Sequence, residues 1–142
     1  MKQIFKPQTE WLPPTEFPDL SKYDEIAIDL ETKDPELKTM GSGSVTGGGD
    51  IVGIAVAVSD WAGYYPIAHE GGGNMDFRMV LKWFQGVLNT PAVKIFHNAM
   101  YDVCFIRAAG LKINGQIVDT MIAGSLVDEN RFRYDLGSMG RD

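Results

Sequence analysis

Cysteine is nearly absent: Cys104 stands alone in 142 residues. One thiol permits neither an internal disulfide nor a paired-cysteine zinc site. Long apolar runs are missing too. Nothing approaches the ~20 residues that span a bilayer, and Met1-Lys2-Gln3-Ile4-Phe5-Lys6-Pro7 lacks the apolar centre of a secretory signal. No membrane partner is expected, and the expected location is cytoplasmic. Positive charge is scarce, with 13 Lys and Arg against 19 Asp and Glu and a net charge of -6. Broad, sequence-blind clamping of duplex nucleic acid needs a basic surface, so that class is disfavoured. A small site that grips nucleotides through metal ions is not. What is present is one domain's length of chain, with 44% hydrophobic residues to build a core.

The chain is organised around Ile26-Ala27-Ile28-Asp29-Leu30-Glu31-Thr32, a buried strand ending on two carboxylates. Side chains alternate along a strand, so Asp29 and Glu31 share a face. Two carboxylates this close raise each other's pKa unless a cation sits between them, and hard oxygen donors suit Mg²⁺ or Mn²⁺. A solvated strand end accounts for the same pair equally well.

Residues 1–22 hold Pro7, Pro13, Pro14 and Pro18. Proline removes donors and fixes φ, which predicts an extended, Pro-rich lead-in pinned by Trp11, Leu12 and Phe17, with the folded domain occupying 23–142. The stretch Gly41 to Gly49 is rich in glycine. It lacks the Gly-Lys-Ser/Thr of a phosphate loop and reads as a flexible connector. Ile51 to Val58 reads as a strand buried on both faces. Tyr64-Tyr65-Pro66-Ile67 reads as a third strand, at an edge because of Pro66. Asn74 or Asp76 caps a helix whose apolar stripe is Phe77, Val80, Leu81, Phe84, Val87 and Leu88. Val93 to Phe96 is a short strand, Asn98 to Ala109 a helix, and Ile117 to Asp119 a last strand. Further helices are expected over Thr120 to Val127 and from Arg133. The order βββαβαβα predicts an α/β fold with a mixed five-stranded sheet, three strands antiparallel and two parallel, flanked by helices.

A third acid, Asp102, lies four residues after Asn98, on one face of the first turn of its helix. His97 and Asn98 leave the carboxyl end of a strand, where open α/β sheets place their sites. If that strand lies beside the first, Asp102 converges on Asp29 and Glu31. An acid near a helix start also needs no other reason.

These residues carry a resemblance. Asp29-Leu30-Glu31-Thr32 resembles the first motif of the DEDD 3′–5′ exonucleases, and Asn98-Ala99-Met100-Tyr101-Asp102 the second. With Ile51-Val52-Gly53-Ile54-Ala55, Tyr65-Pro66-Ile67-Ala68-His69 and Asp119-Thr120-Met121, the chain is similar to the proofreading exonuclease domain of family A DNA polymerases, the DNA polymerase I type, from about Asp24 onward. The resemblance implies the ribonuclease H-like fold and two-metal hydrolysis of the 3′-terminal phosphodiester of single-stranded DNA. It makes Asp29, Glu31 and Asp102 the catalytic metal ligands for two Mg²⁺ or Mn²⁺ ions. Thr32, His97, Asn98 and Tyr101 would lie at the terminal nucleotide, where Tyr101 could equally be a core residue and His97 a helix-entry polar group. Asp119 reads as support or as a cap, and His69 as structural. The partner implied is a polymerase domain of the same polypeptide.

The family's fourth acid, in a Tyr-x-x-x-Asp pattern, has no match: Tyr134 has Ser138 at that spacing. The expectation is therefore a domain incomplete at its C-terminus, with the missing ligand beyond Asp142 and little nuclease activity in these residues alone. The short lead before the first strand fits a phage-type polymerase, placing the protein in host cytoplasm, or a trimmed chain. The alternatives are a free-standing DEDD nuclease acting on RNA or DNA, and a catalytically silent ribonuclease H-like module that holds DNA.

Overall fold

The computed structural model of the chain describes residues 14–122. Trp11, Leu12 and the chain after Ile122 lie outside these, as do most of the helix expected over 120–127 and all of the one expected from Arg133. Among the described residues, no helix is long and apolar enough to cross a membrane.

Five strands form one sheet in the order β3-β2-β1-β4-β5. Strand β1 (Glu25–Lys33) pairs antiparallel with β2 (Asp50–Val58), and β2 with β3 (Trp61–Pro66). On its other side β1 pairs parallel with β4 (Val93–Phe96), and β4 with β5 (Ile117–Asp119). The expected mixed sheet is present, and β3, with Pro66 at its end, is an edge strand.

Period-two alternation on β1 sends Ile26, Ile28 and Leu30 into the core and Ala27, Asp29 and Glu31 to the opposite face. Helix α3 (Phe77–Asn89) covers the core face with Val80, Phe84, Val87 and Leu88, and α4 (Ala99–Ala108) with Val103, Phe105 and Ile106. Asp76 caps α3 by accepting from the Arg78 amide at 2.9 Å. Phe77, expected in the buried stripe, is exposed. The lead-in is pinned where Phe17 stacks on Tyr65 with centroids 5.5 Å apart, the Tyr65 hydroxyl donates to Glu16 O, and Trp83 Nε1 donates to Pro18 O.

Two expectations are corrected. Strand β2 is not buried on both faces: Ile54 and Val56 enter the core, while Ala55 and Ala57 are only half-buried on the opposite face. The glycine-rich connector is built rather than loose. It carries two short turns, α1 (Leu37–Met40) and α2 (Gly43–Thr46). The Asp34 carboxylate accepts the Gly43 amide with both oxygens at 3.0 Å. A Cβ on Gly43 would lie 2.4 Å from Gly49 N, so the two ends of the turn touch through an absent side chain.

Lys94 is fully buried in β4. Its ammonium donates to Thr90 O and, at 2.7 Å, to Asn114 O, tying the end of α3 to the loop before β5. Burial pulls its pKa below the ordinary lysine value. Replacing it by an apolar chain of similar length leaves two part-buried carbonyls without their donor, each costing up to about 1–3 kcal/mol. Lys94→Met is expected to lose roughly 2–4 kcal/mol in urea unfolding while keeping its far-UV spectrum.

Candidate active site

Parallel pairing of β1 with β4 ends at Ala27↔Ile95. Beyond that point the β4-side edge of β1 has no strand partner, and a backbone amide left there needs an acceptor. Asp102 supplies it: the Leu30 amide donates to Asp102 Oδ2 at 3.3 Å. Asp102 is only 4% exposed. Burial pushes its carboxyl up to about 7, with the charges of Asp29 and Asp119 adding to the rise and the Leu30 amide opposing it. Asp29 lies on the open face, and its carboxyl is also raised. Desolvation is the main cause, His97 opposes it and Glu31 adds to it. Asp29 on the first strand and Asp102 on the helix therefore feel one another.

Asp119 fixes where α4 begins. Its two oxygens accept the amides of Asn98 and Ala99, each at 2.9 Å, and Oδ1 also accepts Met121 N. It is a cap. Asn98 adopts the left-handed conformation, φ 60 and ψ 60, and its side chain makes no capping bond. Asn98, expected at the terminal nucleotide, gives the site a backbone turn between β4 and α4.

Thr32 and Tyr101 are brought together. Their hydroxyls are 2.9 Å apart, and the Tyr101 hydroxyl donates to Asp34 Oδ2 at 2.9 Å, joining the site to the connector. The Tyr101 ring packs against Phe105, centroids 5.1 Å apart. Tyr101 is only half-buried, so one side remains accessible.

His97 stands at the carboxyl end of β4. Its Nδ1 is 2.9 Å from Thr120 Oγ1, and Thr120 donates onward to Phe96 O. That pattern assigns the ring proton to Nδ1. Nε2 is then a buried acceptor, and it has no partner among the described residues. His97 and Asp29 line the same cleft of about 750 Å³, over the open face of the sheet.

Two residues here were not expected from the chain alone. The Tyr64 hydroxyl donates to Glu31 Oε2 at 2.6 Å, and His69 Nε2 lies 2.5 Å from the same hydroxyl. His69, read as structural, therefore reaches a candidate ligand through Tyr64. The one sequence signal was its place just past the end of the third strand.

Whether these side chains suit a divalent ion is a question of donors and of spacing. The donors are right: Asp29, Glu31 and Asp102 are hard oxygen groups. The two whose carboxyls are raised share a deficit of positive charge that a cation would relieve. Spacing is not closed. Among the described residues, no three His, Cys, Asp or Glu side chains are gathered closely enough to hold an ion as they stand. Glu31 is held toward β3, whereas Asp102 reaches β1 from the α4 side.

No family model matches the chain. Curated relatives do. A DNA-directed DNA polymerase of Pseudomonas phage M6 is 31% identical over 140 residues, 90% of this chain and 20% of that protein. DNA polymerase I of Chloroflexus aurantiacus is 30% identical over 89 residues, 61% of this chain and 9% of that protein. Among solved structures, Brucella melitensis NrnC with bound Mg²⁺ superposes with TM-score 0.55 at 20% identity, over 88% of this chain and 55% of that one. The POL domain of Pol1 from M. smegmatis gives 0.56 at 15%, over 82% and 18%. The EXO domain of Aedes aegypti Nibbler gives 0.54 at 14%, over 80% and 51%. The chain is similar in sequence to a stretch of these DNA polymerases and shares the ribonuclease H-like fold of the exonuclease structures. It spans a fifth or less of the length of these two curated relatives.

For this polymerase relative, Asp102 sets a pH dependence. Its carboxyl titrates near 3.8 when unfolded and about 7 when folded. Between those values the folded chain binds more protons than the unfolded one, so stability falls as pH rises. In metal-free protein, thermal unfolding followed from pH 4 to 8 is expected to show this fall, at most on the order of 4 kcal/mol. Asp102→Asn, which keeps the acceptor for Leu30, should flatten it.

Proposed function

We propose that the chain is the 3′–5′ exonuclease part of a DNA polymerase, with Asp29, Glu31 and Asp102 as the ligands of divalent ions. The observation that carries this is the coupling of Asp29 and Asp102 across the Leu30 amide, beside Thr32 and Tyr101, in a polymerase-related chain with this fold. Bound Mg²⁺ or Mn²⁺ would supply charge stabilisation to a phosphodiester in the transition state and activate water. The chain's own groups do the rest. The accessible side of Tyr101 supports the terminal base by stacking, and Thr32 fixes the Tyr101 hydroxyl. The substrate is a single-stranded DNA 3′ end, and the partner a polymerase domain of the same polypeptide. The phage relative favours host cytoplasm.

A catalytically silent module is the second reading, favoured by the open spacing of the three acids. Metal titration separates the two. We expect Mn²⁺ binding that Asp29→Ala removes, and Mn²⁺-dependent binding of a single-stranded oligodeoxynucleotide in fluorescence anisotropy. Binding that survives Asp29→Ala sinks the metal-site reading. With Mg²⁺, trimming of a 5′-labelled strand by these 142 residues should be at the edge of detection, because they contain no Tyr-x-x-x-Asp. Brisk trimming would show that three acids suffice.

A further inference from the structure

Tyr64, His69 and Gly53 form an arrangement that the candidate ligand set does not require for its own definition. Gly53 sits directly opposite Glu31 on β2, and Tyr64 faces Ala55, which in turn faces Asp29. Tyr64 thus shares the open face with both acids but lies two strands from Glu31. To reach it, the phenol crosses the strand between them above Gly53. A Cβ there would lie 1.9 Å from the Tyr64 hydroxyl. Gly53 has no positive φ to explain its presence; the missing side chain is the passage.

The hydrogen bonds have a direction. Tyr64 has one hydroxyl proton, and it goes to Glu31 Oε2 at 2.6 Å. That length is in the range of charge-assisted O–H···O⁻ bonds. The phenol oxygen, 2.5 Å from His69 Nε2, must then accept from it, so His69 carries its proton on Nε2. His69 is itself clamped: its amide donates to Asn74 Oδ1 at 2.7 Å, and Asn74 Nδ2 donates back to His69 O at 2.8 Å. A chain of donors in one direction polarises cooperatively.

We propose that Tyr64 and His69 are positioning residues for Glu31, holding Oε2 so that Oε1 is the oxygen offered to a divalent cation. This rests on the metal-site reading above. Removing such outer partners of a ligand typically weakens metal binding about 10–100-fold.

The test uses the whole chain and Mn²⁺ alone as probe, by titration calorimetry. Tyr64→Phe should bind Mn²⁺ about 10–100-fold more weakly, with the melting temperature of the metal-free protein unchanged. Gly53→Ala, which blocks the passage, should give the same loss. His69→Ala should weaken binding, and His69→Gln, which restores an N–H donor, should recover it. Long-range ¹H–¹⁵N spectra should show the Nε2-protonated tautomer of His69 in the parent. Mn²⁺ affinity unchanged or tighter in Tyr64→Phe, while Asp29→Asn abolishes it, overturns this inference alone. Binding absent in the parent, or unaffected by Asp29→Asn, overturns the metal-site reading and this with it. A lowered melting temperature matching the loss of affinity reduces Tyr64 to a structural contact.

Discussion

The site depends on one unpaired stretch of strand edge. Strand β1 is central, paired with β2 from Ala27 to Lys33 but with β4 only as far as Ala27. Beyond Ala27 it needs another acceptor, and the Leu30 amide finds the Asp102 carboxylate. The requirement is ordinary: buried backbone donors are satisfied. Its result here is that a carboxylate from a distant helix is drawn to the strand that carries Asp29. Asp102 is drawn against β1 because the sheet stops short of completing its own ladder.

Burial of these acids has an electrostatic cost, visible in the raised carboxyls of Asp102 and Asp29, and the neighbouring acids add to it. A fold does not keep a buried acid beside others for packing alone, and perturbed acids in a cleft mark functional candidates. The restraints around them serve the same end. Asp119 sets where α4 starts, Asp34 ties the connector to Tyr101, and the left-handed Asn98 turns the chain between strand and helix. Each acts on the direction from which Asp102 and Tyr101 arrive.

The acids Asp29, Glu31 and Asp102 are legible in the sequence because their signals are local: a strand pattern ending on D-x-E, and an acid in the first turn of a helix. The mixed sheet is legible for a similar reason, since period-two and helical spacings alternate clearly. What escapes is whatever depends on three segments meeting. Lys94 looks like an exposed residue in a short strand, and is buried because carbonyls from residues 90 and 114 converge on it. The connector looks flexible by composition, and is ordered by a single carboxylate, Asp34. Of Tyr64 and Tyr65, alternation says only that they face opposite ways. Which one meets Glu31 follows from the register of β3 on β2 and β2 on β1.

The empty place at Gly53 makes that register audible in the sequence after all. A glycine within an apolar strand is ordinarily read through its backbone, as a bulge or a bend. Here the backbone is ordinary, and the residue is small on behalf of a phenol on the neighbouring strand. Positions 53 and 64 therefore form a single unit of information: were 64 not aromatic, 53 would be at liberty to carry a side chain. Sets of related chains should show the two changing together, a signature that neither position displays by itself.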